Sequence, residues 1–364
     1  MYTVYIIIVA AAFFLCLFSE RIKYNRGWLL AFFGLLLMVF AGFKGRDVGV
    51  DDGIFRDFYA KAMHPLLMFQ DPKLFFSAAK VEPVFLILAS FFKYCVSSVY
   101  GYPILIFFFA LCAVSCKMKA IRDYSDFMFF SLFIYICNFF LLHEIIQIRA
   151  GLAVGIALLS FRYILRRDFP RFAMTLFLAV MVHYSAIMFF PFYFVNTKKI
   201  PVWLYVLIPL VPYVLMKSGF DVFEMLGNMN LGVYSEKIKV YKLEQYYNDY
   251  TIHEMNLSLL FQILLSVFLL INRQQLSERN PYGILFLKIN IFAIAAFYLF
   301  FPLAVFAFRF WEMMSIVQIF LIPSLIYFIK PRWLAELLVL LVGVALFYNL
   351  VLQGVLQPYH FVRF

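Results

Sequence analysis

Two ionisable residues stand where a long apolar helix would exclude them. Arg149 opens Ile148-Arg149-Ala150-Gly151-Leu152-Ala153, a run that stays apolar to Leu159. His183 breaks a second such run, Val180-Met181-Val182-His183-Tyr184-Ser185-Ala186. An ionisable group in a membrane-length segment is costly unless it faces a protein interior or a wet cavity. Arginine offers a planar fork of donors suited to phosphate or pyrophosphate. Histidine can act as general base, proton shuttle or phosphate donor.

Other candidates surround these two. The segment Gly45-Arg46-Asp47-Val48-Gly49-Val50-Asp51-Asp52-Gly53 carries glycines that let the backbone turn close to a ligand. Asp51, Asp52 and Asp57 there could hold Mg²⁺, and the plain alternative is a solvated loop. Glu82 precedes Pro83 and an apolar run. It could cap that helix, or serve as a general base whose pKa partial burial raises. His143, Glu144 and Gln147 cluster just before Arg149. Arg309 lies in Phe308-Arg309-Phe310-Trp311-Glu312, where Glu312 is spaced to pair with it. The bland reading of Arg149 is snorkelling to the interface, and that of His183 is a satisfied interior histidine. Taken together, Arg46, Arg149 and Arg309 supply cations, Asp51, Asp52 and Glu82 supply carboxylates, and His183 supplies a base. A substrate with a diphosphate and hydroxyl groups would use that set. No Walker A loop, Ser-His-Asp order, HExxH or CxxC signature is present.

The elements that carry these residues are apolar throughout. Hydrophobic residues make up 65% of the chain and mean hydropathy is +0.91, which places it in a membrane. Apolar runs fall near 3–19, 27–43, 84–99, 101–116, 127–142, 149–165, 172–195, 201–217, 257–271, 284–301, 308–329 and 333–353. They predict roughly nine to twelve transmembrane or re-entrant helices in one integral-membrane domain, 1–364. The first run has no basic residue before it and reads as a span rather than a signal peptide. Five cysteines in or beside apolar runs read as packing residues.

The net charge of +11 does not point to nucleic acid, because the basic residues sit in short connectors. These are 20–26, 117–122, 166–171, Lys198-Lys199, 273–279 and 330–332, and the positive-inside rule makes all of them cytoplasmic. Simple alternation of twelve spans forbids that. Two adjustments restore it: 82–99 is an interfacial or dipping helix, and 172–195 is a broken hairpin that turns at His183 and returns. The polar segments 44–81 and 218–256, with the chain end 356–361, then face outward.

With these motifs the chain resembles the EpsG/Wzy-type bacterial polysaccharide polymerases. The resemblance runs in order through Gly45-Arg46-Asp47-Val48-Gly49-Val50-Asp51, Glu82-Pro83-Val84-Phe85, Gln147-Ile148-Arg149-Ala150-Gly151, Val182-His183-Tyr184-Ser185, Phe308-Arg309-Phe310 and Pro358-Tyr359. The usual central motif has a glutamine after the arginine; here Ala150 stands in its place. The resemblance implies an all-α, GT-C-like membrane glycosyltransferase of the bacterial cytoplasmic membrane. It would polymerise lipid-linked oligosaccharide units at the outer face, moving a glycan from undecaprenyl diphosphate to the terminal sugar of another unit. Arg149, Arg309 and Arg46 would hold the diphosphate, and His183, Glu82, Asp51 or Asp52 would serve as base. No metal or other cofactor is expected, since arginines can stand in for a metal. The implied partners are undecaprenyl-diphosphate-linked oligosaccharides and the bilayer, with a chain-length regulator and a flippase. The rival readings are a flippase for such lipids and a membrane O-acyltransferase acting on glycans.

Overall fold

The computed structural model describes residues 2–18, 25–79, 81–97, 100–227, 239–243, 245, 253–352, 354 and 356–362. Regular structure among them is helical, with one isolated bridge between Lys44 and Phe361. The main helices are α1 (Thr3–Leu17), α2 (Arg26–Gly42), α3 (Asp52–Lys61), α4 (Pro83–Phe91), α5 (Gly101–Tyr124), α6 (Met128–Ile134), α7 (Ile148–Arg166), α8 (Phe169–Val182), α9 (Val202–Lys217), α10 (Leu257–Ile271), α11 (Gly283–Leu299), α12 (Ala304–Ser315) and α13 (Arg332–Leu352). A π-helix, Tyr135–Ile146, continues α6, and a 3₁₀-helix, Tyr184–Tyr193, follows α8.

Among the described residues, five helical stretches are long and apolar enough to cross a membrane: Gly101–Tyr124, Met128–Ile146, Ile148–Arg166, Ala304–Tyr327 and Arg332–Leu352. Six shorter apolar helices, and α10 bent by 82° into Arg273–Arg279, make up the rest. The protein is an all-α polytopic membrane protein. It divides into two compact units. One is Met1–Tyr193 with Ile322–Phe364, and the other is Phe194–Leu321.

The connections of the first unit sort its charges. The Tyr124 hydroxyl donates to the Leu158 carbonyl at 3.0 Å and Arg162 pairs with Asp123 at 2.9 Å, so α5 and α7 run parallel. The Cys16 thiol donates to the Phe129 carbonyl, which brings the end of α1 to the start of α6. Tyr327 donates to Asp126, which brings the approach to α13 to the same end. The basic connectors after α5 and α7 and before α13 therefore share one end of this unit. The opposite end gathers the end of α2, the start of α5, the junction of the π-helix with α7, and the chain terminus. There the Tyr359 ring stacks on Phe40 at 4.0 Å and its hydroxyl donates to the Phe40 carbonyl. His360 accepts from the Gly45 amide at 2.7 Å. The polar segment 44–81 and the chain end thus share one side. Most of 228–252 lies outside the described residues, and with it much of the second polar segment.

Lys117 departs from the sequence reading. Grouped there with a cytoplasmic connector, it lies wholly buried inside α5, paired with Glu144 and donating to the Gly151 carbonyl at 2.8 Å. It looked like part of a basic turn only because Lys119 and Arg122 follow it on the same helix.

Segment 169–193 forms the expected hairpin. Asp168 caps α8 by accepting from the Arg171 amide, with Pro170 in the first turn. The helix stops at His183, whose backbone is extended (φ −154°, ψ 117°). At about 1.5 Å per residue its fourteen residues reach about 21 Å, too short to cross a bilayer core. The 3₁₀-helix returns about the same distance in ten residues at about 2.0 Å each. Its end meets the start of α8: the Tyr193 ring lies 5.1 Å from Phe169 and 5.0 Å from Phe172. His183 is the tip of this hairpin.

Candidate functional site

Glu82, Arg149 and His183, distant in sequence, meet in the first unit. Glu82 sits at the cap of α4 with extended backbone (φ −65°, ψ 146°), because Pro83 occupies the first helical position. Its Oε1 lies 2.6 Å from His183 Nδ1, and its Oε2 accepts from the Arg149 guanidinium. Burial alone would push the Glu82 carboxyl up. The hydrogen bond from His183 and the charge of Arg149 outweigh it and hold the carboxyl at about 2. Glu82 is therefore an anion that only accepts, so His183 Nδ1 carries the proton and donates. This corrects the expectation of a raised, basic Glu82. The carboxylate orients the histidine and the arginine.

Arg149 is held by aromatic rings as well as by Glu82. Its guanidinium carbon lies 5.3 Å from the Phe55 ring centroid, 5.2 Å from Phe58 and 5.9 Å from Phe85. These rings offer their faces to the cation. The side chain keeps 18% of its surface exposed, and its Nε is buried without a hydrogen-bond partner. Phe85 in turn packs on Phe109 of α5 at 5.6 Å. An arginine anchored by one carboxylate and still partly exposed can meet an anion.

The backbone that presents Arg149 is irregular. The π-helix ends at Gln147 (φ −101°, ψ 57°) before α7 begins. Single-turn π segments often mark functional sites, and this one is twelve residues long. Two buried lysines tie the junction down. Lys44 donates to the Ile145 carbonyl and pairs with Asp52 at 2.6 Å. Lys117 bridges Glu144 and Gly151. His143 and Glu144, candidates in the sequence, thus belong to a sealed interior and not to the reachable pocket.

Asp52 is likewise committed. It holds Lys44 and accepts from the Gly49 amide at 3.0 Å, and Asp51 is half-buried beside the pair. Burial pushes the Lys44 ammonium down and Asp52 opposes that shift. Asp57 pairs with Lys61. The three aspartates do not gather as a ligand set, and no group of three or more metal-binding side chains forms among the described residues. Gly45 and Gly49 accept close neighbours from the protein itself rather than a ligand: His360 at the first, and Ile145, Lys44 and Asp52 at the second. Arg46 lines a cavity with Asp52, Arg56 and Tyr59, a different set of residues from those that touch Arg149. Arg309 is half-buried in α12 and belongs to the second unit.

Sequence reasoning found the three joined residues but missed Phe55, Phe58 and Lys44. The spacing of Asp52, Phe55 and Tyr59 along one short helix is the signal that could have shown α3 to be amphipathic and packed.

An all-α membrane scaffold with a buried carboxylate–histidine–arginine group is the class this chain defines. The family model described as EpsG family matches residues 27–361, and the chain belongs to that family. The amylovoran biosynthesis protein AmsC of Erwinia amylovora is 27% identical over 190 residues, which cover 50% of this chain and 48% of that protein. The match thus spans about half the length of each. No solved structure matches.

Proposed function

We propose that this chain is a polysaccharide-forming glycosyltransferase that polymerises lipid-linked oligosaccharide repeat units. The observation that carries the reading is the Glu82 carboxylate holding His183 and Arg149 together, with three phenylalanine rings around the arginine. Membership of the EpsG family and the likeness to a protein named for amylovoran biosynthesis support the substrate class.

In this reading the scaffold is GT-C-like and the donor is a glycan on undecaprenyl diphosphate. With Nδ1–H fixed on Glu82, His183 takes the acceptor hydroxyl proton at Nε2. The acceptor oxygen bonds to the anomeric carbon as the bond from that carbon to the phosphate oxygen breaks. The lipid diphosphate leaves with the electron pair, and its growing negative charge is met by Arg149. Asp51 and Asp52 are not the base here, since Asp52 neutralises Lys44. The pocket lies at the end of its unit opposite the basic connectors, and the positive-inside rule turns that end to the outside of the bacterial inner membrane. The reaction needs no metal. A chain-length regulator and a flippase are the expected partners in the membrane.

Purified protein in detergent, given lipid-linked repeat units and no gradient, tests this. A ladder of longer lipid-linked glycans that persists in EDTA is expected. Absence of any ladder, with the lipid instead translocated in vesicles, would assign transport. A ladder abolished by EDTA would overturn metal independence.

A further inference from the structure

We propose that the cavity beside α3 binds one sugar of the glycan, and that this sugar carries a carboxylate. The proposal rests on the polymerase reading for its biological substrate, but its geometry stands alone.

The cavity has a volume of about 350 Å³ and lies wholly within the first unit, between the end of α2, α3 and the start of α5. Asp52, Arg56 and Tyr59, at i, i+4 and i+7, line the cavity. Phe55 and Phe58, at i+3 and i+6, pack on Arg149. Phe55 shares the helix face of Asp52 and Tyr59, so the cavity and the Arg149 group adjoin the same helix on neighbouring faces.

The lining chemistry points to a sugar. Tyr59, Tyr100 and Tyr102 line it, and aromatic rings that carry hydroxyls suit a pyranose. The Tyr59 side chain is nine-tenths buried, and its hydroxyl, set against Gly101, has no hydrogen-bond partner. A buried hydroxyl left unpaired is costly, which marks this wall of the cavity as incompletely satisfied.

Charge selects the kind of sugar. Lys44 and Asp52 cancel each other at 2.6 Å. Arg56 engages Asp47 at the exposed rim. Arg46 lines the cavity, is exposed and takes part in no ion pair among the described residues, so its guanidinium is open to a ligand. A neutral sugar would leave that charge unused, whereas a carboxylate on the ring gives it a planar, two-oxygen partner.

The test uses full-length protein in detergent and saturation-transfer NMR with three probes: glucuronate, glucose and inorganic pyrophosphate. Transfer to glucuronate is expected to exceed that to glucose. Arg46→Gln and Tyr59→Phe each weaken glucuronate binding about tenfold, the loss of one good polar contact. Arg46 is exposed, so its replacement leaves the fold intact. Arg149→Ala leaves glucuronate binding unchanged, which separates this site from the reaction pocket. No transfer to glucuronate, equal binding by both variants and wild type, or displacement of glucuronate by pyrophosphate would each overturn the proposal. Glucuronate binding by a protein that forms no glycan ladder would instead overturn the polymerase reading alone.

Discussion

Each unit of the chain buries a polar cluster among apolar helices, and the two clusters are built in opposite ways. In the second unit Gln262 of α10 donates to the Asn290 carbonyl at 2.9 Å and to its side-chain oxygen at 3.0 Å. Asn290 donates to Ser266, while Trp311 and Ser315 both donate to the Gln262 oxygen. Every member is neutral, and donors meet acceptors across three helices. In the first unit the Glu82 cluster is ionic, and its arginine side chain remains 18% exposed. A neutral, satisfied network fixes helix packing. An ionic group with donors to spare, at a helix break, is built to receive a charged ligand. Buried polarity alone does not mark a site; unspent hydrogen-bonding capacity that a ligand can reach does.

Substitutions should separate the two. The largest expected effect is on Arg149: its change to alanine lowers turnover about 100- to 1000-fold, the scale for losing one preorganised charge-stabilising donor. Arg149→Lys recovers little, because a point charge cannot serve Glu82 and a diphosphate as a fork does. Turnover of repeat units by purified variants checks this, and an unimpaired Arg149→Ala protein would erase the contrast between the clusters.

Gln262→Leu acts in the other sense. It strands the Trp311 and Asn290 groups, at about 1–3 kcal/mol for each buried partner left unmet. The midpoint of thermal unfolding in detergent should fall while turnover per folded molecule holds. Loss of turnover at unchanged stability would give the second cluster a functional role.

The smallest effect is on pH. The folded Glu82 carboxyl is held at about 2, below the ordinary value of 4.5. The stabilisation from its ionised form is fully present above about 4.5 and is lost as pH falls toward 2. Glu82→Gln removes that part of the acid dependence, and Gln262→Leu leaves it in place. Unfolding midpoints between pH 5 and 3 for the three proteins test this, and parallel curves would contradict it.

The parts legible in the sequence are those where chemistry broke a pattern. Arg149 and His183 interrupted apolar runs, and Glu82 preceded a proline at a run's start, so all three stood out. The hairpin was legible because the charges could not be sorted without it. Lys117 was not, since two basic neighbours on its own helix gave it the look of a connector. Asp52 seemed available because its partner Lys44 lies eight residues back, across two glycines whose close contacts only the fold reveals. Phe55, Phe58 and Phe85 could not be singled out in a chain that is 21% aromatic. The division into two units, with Arg309 in the second and Arg149 in the first, left no mark in composition.

Chemical rescue of His183 reaches the central claim most directly. The account predicts that His183→Ala, folded as judged by its unfolding midpoint, loses at least about 100-fold in single-turnover glycan transfer, in line with the removal of a general base. Added imidazole should restore part of that rate with saturation, because it can enter the vacated space beside Glu82 and accept the proton. Wild-type transfer by His183→Ala without imidazole would contradict the account.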